Sequence, residues 1–468
     1  MPPRRAVSPA TPGGAAQRRF WRFGLALCVV LALLAAGVGV GGLLRGPDLS
    51  EATFAADRAV GAAGARLVLR SRLPIAEVRA DQVSITPAAP YTLGTRDQTL
   101  TITFGAPLGY ATDYTVTVAG VRSEYTSTTA DWSYRFVTPP VTMYSLIAHR
   151  DEPAADDTVV TGADRRTVLS GPGIETFVAT RQHLIALSHP SLDTSQLIAT
   201  TRSDGASAPV ATPQVPLLTE LEAAPDGTRF GYLATGVDDD TQNRYEGALF
   251  IADAADLTAA PRRVDAFGGA LSVQEWLFVP GVNAVVVITP QEKAFLIYLD
   301  GDTAPVALGS VAQFVGFLPG STTLLAQAGG KQLLLDLSAG KTTEVPNTEE
   351  PSSDVFAGRR NFRAPDDYLV EFNQFTRTGN TSELTTRLTH LAGGQSTELL
   401  VLGPADGQLS NSGLSPNGQF AWAVLLDPDA PVADLSSGAS DHARTLVFDL
   451  ATARQVAEVP GSSPVWAL

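Results

Sequence analysis

Short runs in which apolar and polar residues alternate fill most of the chain after residue 45. Examples are ARLVLR at 65–70, TLTITF at 99–104 and YTVTV at 114–118. Alternation with a period of two, rich in Thr, Val, Ile and Tyr, predicts strands that bury one face, and the Gly and Pro residues between runs predict turns. The chain is therefore predicted to be all-β, apart from one segment near its start.

That segment is a stretch of 22 residues without a charged side chain, 23–44, between Arg22 and Arg45. At ~1.5 Å per residue a helix of this length spans ~33 Å, enough for the ~30 Å apolar core of a bilayer. It predicts one transmembrane helix. A cleaved signal peptide is the alternative, but its apolar region is usually shorter, about 7–15 residues, so an uncleaved anchor is favoured.

The charges around this segment predict its orientation. Five arginines lie within 1–22, which contains no acidic residue, whereas Asp48, Glu51 and Asp57 follow the segment. The excess of positive charge places residues 1–22, a Pro-, Ala- and Gly-rich stretch predicted to be disordered, in the cytoplasm. Everything after Arg45 is then predicted to lie outside the cell membrane.

Residues 50–140 form the first predicted module, an antiparallel β-sandwich. The runs at 101–104 (TITF), 112–118 (TDYTVTV) and 132–138 (WSYRFVT) resemble the bacterial Ig-like domains of S-layer and other surface proteins. Tyr114 is similar to a tyrosine-corner residue, whose hydroxyl ties a strand to nearby backbone. The resemblance implies a spacer or adhesive unit and transfers no catalytic residue.

Residues 141–468 repeat a strand, a Pro-containing turn and a second apolar strand. The turn prolines, separated by 55, 39, 46 and 51 residues, are Pro225, Pro280, Pro319, Pro365 and Pro416. A period of 40–50 residues with four short strands per unit is typical of a β-propeller. Six blades are predicted between 174 and 459, and strands at 144–170 completed by 464–468 supply a seventh. Six or eight blades remain compatible with the spacing.

The Pro-Asp-Gly turn at 225–227 and the Pro-Asn-Gly turn at 416–418, each followed by an apolar strand, resemble the blades of WD-repeat-like propellers of the bacterial Tol-associated type. The resemblance covers the blade only. Because propellers host many functions, it implies a fold and leaves the ligand open.

Charge and cysteine content narrow the classes of partner and site. The net charge is −15, and because residues 1–45 hold six Arg and no acid, the remainder carries 27 basic against 48 acidic residues, or −21. So acidic a chain would repel the phosphates of nucleic acid, so no nucleic-acid partner is predicted. Cys28 is the only cysteine, which excludes an intrachain disulfide and a Cys-based zinc site.

No catalytic, cofactor-binding or metal residue is predicted, because no catalytic or metal-binding motif occurs. Two places have residues that could bind a metal ion: the pair His183 and His189, and the loop Asp238–Asp240, which could bind calcium. The alternatives are ordinary histidines and a solvated hairpin loop. The acidic insertion around 427–442 predicts either a recognition loop or a disordered segment.

These features predict a membrane-anchored, extracytoplasmic binding or scaffold protein of the bacterial cell envelope, not an enzyme. Its propeller would hold an envelope protein or a cell-wall ligand, and no cofactor is implied. Two alternatives stay open: a hydrolase or lyase acting on envelope glycan at the propeller channel, and a purely structural surface protein. The sequence leaves the oligomeric state undetermined.

Overall fold

The computed structural model describes residues 46–149, 155–191, 193–346, 352–378, 381–428, 430 and 442–467. These residues form strands almost throughout, with one four-residue helix, α1 (Ala56–Ala59), and one 3-10 turn, Ala80–Gln82. Within these ranges there is no helix of sufficient length and apolarity to cross a bilayer. The predicted segment 23–44 and the preceding residues 1–22 are outside them.

The first part of the chain folds into two antiparallel sheets. The four-stranded sheet has the order β1-β2-β5-β4, and the three-stranded sheet has the order β3-β6-β7. The strands are β1 (Leu49–Thr53), β2 (Arg66–Ser71), β3 (Val83–Thr86), β4 (Tyr91–Arg96), β5 (Thr99–Phe104), β6 (Asp113–Arg122) and β7 (Thr129–Val137). We call this unit the sandwich.

One core joins the two sandwich sheets, because the alternating apolar side chains of both point inward. Leu100, Ile102 and Phe104 of β5 are fully buried against Val116 and Val118 of β6. The Tyr114 hydroxyl accepts a hydrogen bond from the Gly109 N–H at 3.0 Å. This tie is the one expected of a tyrosine corner. Membership of the Ig-like family stays a prediction.

The rest of the chain forms four-stranded antiparallel sheets, seven in the part that the structure describes, numbered here sheet 1 to sheet 7. Sheet 1 contains β8 (Thr142–Ile147), β9 (Asp157–Thr161), β10 (Arg166–Gly171) and β37 (Ser462–Ala467). Sheet 2 contains β11 (Ile174–Ala179), β12 (His183–Ser191), β13 (Thr194–Thr201) and β14 (Ser207–Ala208). Sheet 3 contains β15 (Leu217–Ala223), β16 (Arg229–Val237), β17 (Arg244–Asp253) and β18 (Arg262–Arg263).

A small hairpin, β19 (Asp265–Ala266) and β20 (Gly269–Ala270), leads to sheet 4, which contains β21 (Glu275–Phe278), β22 (Ala284–Ile288), β23 (Lys293–Tyr298) and β24 (Val306–Ser310). Sheet 5 contains β25 (Gln313–Phe317), β26 (Thr323–Ala328), β27 (Lys331–Asp336) and β28 (Lys341–Glu344). Sheet 6 contains β29 (Val355–Ala364), β30 (Asp367–Thr378), β31 (Thr381–Ala392) and β32 (Gln395–Leu402). Sheet 7 contains β33 (Gln408–Leu414), β34 (Phe420–Leu426), β35 (Ala443–Asp449) and β36 (Arg454–Pro460).

The seven sheets follow one another around a ring. The first strands of neighbouring sheets contact each other, as in the pairs β11–β15, β15–β21, β21–β25 and β29–β33. The C-terminal strand β37 pairs with β8 in sheet 1 and also contacts β11, so it takes the inner position there. Ser145 donates a hydrogen bond to the Pro460 carbonyl at 2.6 Å and links sheet 1 to sheet 7. This arrangement is a β-propeller.

Apolar side chains fill the spaces between neighbouring sheets, since no four-stranded sheet can cover both of its faces alone. Trp276 is fully buried between sheets 3 and 4, and Phe177 is buried between sheets 1 and 2. A buried carboxylate adds a polar tie. Asp157 of sheet 1 accepts the N–H groups of His149 and of Ile174, the first residue of sheet 2, each at 2.7 Å.

Candidate functional site: the central cavity

A cavity of about 890 Å³ lies among the inner strands of sheets 3 to 7. Its walls come from β15, β21, β25, β29 and β33, and the sandwich adds Gly61. Ligand sites are usually concave, and 300–1,000 Å³ is their common size range, about the size of this cavity. We call it the central cavity.

The sandwich covers one end of the central cavity. The Asn417 side-chain amide donates to the Leu108 carbonyl at 3.0 Å, and the Ala63 N–H donates to the Gly320 carbonyl at 3.2 Å. Gly320 and Asn417 follow the inner strands β25 and β33. The sandwich therefore sits where the inner strands end, and the opposite end, where they begin, faces away from it. We call these the sandwich end and the free end.

A local irregularity in β15 gives one wall of the cavity its charge. The pairing of β15 with β16 shifts register between Thr219 and Glu222, and Glu220 adopts a left-handed backbone with φ 52°. Such a bulge turns a side chain away from the direction that regular alternation would give it. The Glu220 carbonyl accepts a hydrogen bond from the Trp276 indole N–H at 2.9 Å, which holds the distorted strand to sheet 4.

Four glutamates on three consecutive inner strands interact electrostatically and define what we call the glutamate cluster: Glu175, Glu220, Glu222 and Glu275. Burial, and to a smaller extent the charges of Glu220 and Glu275, raises the pKa of Glu222 to about 8. Burial is also the main cause that raises the pKa of Glu275 to about 7, although the Phe314 N–H donates to both of its carboxylate oxygens at 3.0 and 3.1 Å. The pKa of Glu220 is raised by burial and by Glu175.

The cluster has little positive charge around it. Glu175 lies 2.7 Å from the ring nitrogen of His189, and among the described residues no Lys or Arg forms an ion pair with any of the four. A carboxylate that is desolvated without a cation holds its proton more tightly, and a cation brought close to it would favour the ionised form. The wall is therefore suited to a ligand that carries positive charge.

The opposite wall, from sheets 6 and 7, is polar and already paired. Arg359 donates to the Asn411 side-chain carbonyl, and Asn361 donates to the Ser412 hydroxyl at 3.1 Å. That hydroxyl donates to Glu371 at 2.7 Å, which lowers the pKa of Glu371, but burial dominates and the net shift is upward. The cavity thus has an acidic side at Glu222 and an opposite side of amides, hydroxyls and the two guanidinium groups of Arg359 and Arg360.

The two histidines of the candidate metal pair, His183 and His189, contact different groups. The Nδ1 atom of His183 lies 3.1 Å from the Ala254 carbonyl, whereas His189 contacts Glu175. Across the described ranges, no three His, Cys, Asp or Glu side chains are arranged to hold a metal ion.

In the candidate calcium loop Asp238–Asp240, the carboxylate of Asp238 is hydrogen-bonded within the loop itself. Asp238 is buried, and one of its carboxylate oxygens accepts the N–H groups of Asp240 at 3.0 Å and Thr241 at 2.8 Å. These hydrogen bonds lower the pKa of Asp238. The carboxylate therefore shapes the turn and points into it. Of the acidic insertion, residues 429 and 431–441 fall in a part of the chain that the structure leaves undescribed.

The glutamate cluster was not predicted from sequence. Its members are spread over 100 positions, from 175 to 275, so no motif marks them, and their meeting depends on the register of three separate sheets. One signal was present: Glu-Leu-Glu at 220–222 and Glu-Trp at 275–276 put acids into inner strands that are otherwise apolar. Acids rarely occupy such positions without a partner or a function.

No protein-family model matches the chain, and neither does any curated protein. Among solved structures, it is similar to TolB from Acinetobacter baumannii at 10% identity and a TM-score of 0.35, covering 77% of this chain and 81% of that one. A protein from Lactobacillus plantarum is 10% identical, with a TM-score of 0.41, and the match covers 70% of this chain and 99% of that one. The WD40 repeats of RRP9 are 9% identical, with a TM-score of 0.36, and the match covers 59% of this chain and 94% of that one. Likeness at this level carries no argument about function, and the fold rests on the strand pairing described above.

Proposed function

We propose that the chain is a membrane-anchored binding scaffold of a bacterial cell envelope, whose propeller holds a protein or cell-wall ligand at the central cavity. The observation that carries the proposal is the glutamate cluster, of which Glu222 lines the cavity: four interacting carboxylates without a Lys or Arg partner in the described residues. Glu222 and Glu275 are desolvated and repelled by neighbouring carboxylates, and retaining such acids costs stability, which is commonly the sign of a functional site.

The envelope location rests on the sequence. The uncharged segment 23–44 and the arginines before it support an anchor with the bulk of the chain outside. The sandwich, as an Ig-like spacer, would stand between the bilayer and the propeller. The Trp132 indole donates to the Pro47 carbonyl at 2.6 Å, so the chain enters the sandwich beside the start of β7, whereas the end of β7 leads towards the propeller.

Protease digestion of intact spheroplasts that express the full chain with a tag at each end tests the location. We expect the C-terminal tag to be digested and the N-terminal tag to be protected, with the protein in the membrane fraction. Recovery in the soluble fraction, or a protected C-terminal tag, would count against the anchor.

Affinity capture from solubilised envelopes tests the binding role. The full chain is compared with the double variant Glu222→Gln, Glu275→Gln, and a charge-matched control replaces Glu51 and Glu246, which are exposed on the sandwich and on sheet 3. We expect one envelope component that the wild type and the control retain and that the cavity variant loses at least tenfold. Equal retention by all three proteins would refute binding at the cavity.

A second candidate function is glycan hydrolysis at the same cavity, favoured by the raised pKa values of Glu222 and Glu275. A general acid must carry a proton near neutral pH, and a pKa of about 8 provides that. Release of reducing sugar from purified peptidoglycan decides between the two. A hydrolase would lose about 10²–10⁴-fold of its rate in Glu222→Gln, whereas the binding scaffold that we favour releases none in either form.

A further inference from the structure

Sheet 6 extends past its neighbours at the free end of the propeller. Its middle strands β30 and β31 have 12 residues each, whereas β26 and β27 of sheet 5 have 6 each and β34 and β35 of sheet 7 have 7 each. The five or six extra residues add roughly 17–20 Å of strand, at ~3.3 Å per residue. Neighbouring sheets that short do not cover this extension.

The uncovered extension carries large apolar side chains on one face. Phe375 lies directly opposite Leu384 in the pairing of β30 with β31, and Phe356 of β29 pairs two residues away, opposite Asn373. Their exposed fractions are 50% for Phe356, 54% for Phe375 and 37% for Leu384. The two phenylalanine rings meet edge to face with centroids 6.3 Å apart. We call these three residues the apolar ledge.

The apolar ledge lies at the same end of the ring as two members of the glutamate cluster, Glu175 and Glu275, whereas Glu222, the next-to-last residue of β15, lies nearer the sandwich end. Phe356 is the second residue of the inner strand β29, and Glu175 and Glu275 are the second and first residues of the inner strands β11 and β21. All three therefore mark the end at which inner strands begin, away from the sandwich. The free end thus combines an aromatic surface with a mouth whose acids lack Lys or Arg partners in the described part of the chain.

We infer that the free end is a docking surface for a protein partner that presents a basic segment flanked by apolar residues, with the apolar residues on the ledge and the basic ones at the glutamate cluster. Charge complementarity selects this occupant. A net charge of −15 repels nucleic acid and anionic lipid, whereas carboxylates without Lys or Arg partners attract Lys and Arg. Exposed aromatic side chains are the residue type that most often anchors such contacts. The inference deepens the proposed function and rests on it.

The inference is tested by measuring the binding of three labelled pentapeptides to the full chain in nanodiscs of zwitterionic lipid. Binding to empty nanodiscs is measured in parallel and subtracted. The peptide sequences alternate Lys with Phe and Leu, Glu with Phe and Leu, or Lys with Ser. We expect the basic apolar peptide to bind at least tenfold more tightly than the other two, with an affinity that falls as salt rises. Equal binding of the acidic apolar peptide, or no binding of the basic apolar one, overturns the inference.

Variants separate this inference from the proposed function. The double variant Phe356→Ala, Phe375→Ala should bind the basic apolar peptide at least fivefold more weakly than the wild type. The control Phe267→Ala, which changes another exposed phenylalanine, on the β19–β20 hairpin, should leave the affinity unchanged. Glu220→Gln should lower the affinity for this peptide and make the affinity less dependent on salt concentration. If Glu222→Gln weakens binding and the ledge variant does not, the cavity remains the binding site and the ledge proposal fails.

Discussion

The Tyr110 ring of the sandwich stacks on the Phe420 ring of sheet 7, with centroids 6.2 Å apart and planes inclined by 12°. Phe420 also stacks on Trp466 of β37, with centroids 5.7 Å apart and planes inclined by 9°. The Tyr110 N–H also donates to the Gln419 side-chain carbonyl at 2.6 Å. Because Trp466 lies on the strand that completes sheet 1, the contact that docks the sandwich also joins the first and last sheets.

Phe420→Ala should destabilise the protein by about 2–3 kcal/mol, because it removes two ring contacts and leaves a gap at the junction. Thermal unfolding followed by fluorescence measures this, and we expect the sandwich and the propeller to melt as separate transitions in the variant. Tyr125→Ala, a change at a ring that is 77% exposed, serves as the control and should cost less than ~0.5 kcal/mol. Equal stability of both variants would show that the stack contributes nothing.

Asp157→Ala should cost about 3 kcal/mol, since it leaves the buried N–H groups of His149 and Ile174 without their carboxylate acceptor. Urea denaturation measures the loss. Asp164→Ala removes an exposed carboxylate from the adjacent turn and should change stability little. A loss below ~0.5 kcal/mol in Asp157→Ala would show that the tie between sheets 1 and 2 is replaceable.

Stability should fall as the pH rises from 5.5 to 8.5. The pKa of Glu222 is about 8 and that of Glu275 about 7 in the folded protein, against 4.5 as the ordinary value. A group with a raised folded-state pKa gives its full contribution below its unfolded pKa, and that contribution is lost as the pH rises through the folded value. Thermal midpoints measured across this range should therefore decrease.

Glu222→Gln should flatten that decrease, because the amide resembles the protonated acid and cannot ionise. At pH 8.5 the variant should be more stable than the wild type. Glu246→Gln, an exposed change of equal charge, should keep the slope of the wild type. A wild-type slope in Glu222→Gln would mean that this carboxyl is not desolvated in the folded protein.

Calcium should not stabilise the protein through the loop at Asp238–Asp240. The Asp238 carboxylate already accepts two backbone N–H groups within its own turn. Millimolar calcium is expected to leave the melting temperature unchanged, whereas Asp238→Ala should lower it with or without the ion. A calcium-dependent rise that Asp238→Ala abolishes would establish the loop as a cation site.

The alternation of apolar and polar residues was sufficient to predict the strands from the sequence. Leu100, Ile102 and Phe104 alternate with Thr, and all three are buried in the sandwich core. The turn around Pro225 precedes the apolar strand β16, as the repeat indicated. Such features depend on neighbours within a few residues, which the sequence displays directly.

Features that depend on several sheets at once could not be predicted from the sequence. The bulge that redirects Glu222 involves a left-handed Glu220, a backbone state that its residue type disfavours. The glutamate cluster then requires β11, β15 and β21 to align around the ring. The apolar ledge exists because sheet 6 is longer than sheets 5 and 7, a comparison that becomes meaningful only once the sheets are known to be neighbours.

Photo-crosslinking in cells tests the central claim, that the propeller cavity holds a ligand, most directly. A benzophenone amino acid replaces Val315, which lines the cavity and is 40% exposed, or Val456, which is 53% exposed on the outer strand β36. We predict a discrete adduct with one envelope component from position 315 that position 456 does not give and that Glu222→Gln with Glu275→Gln reduces. No adduct at 315, or the same adducts from both positions, would contradict the account.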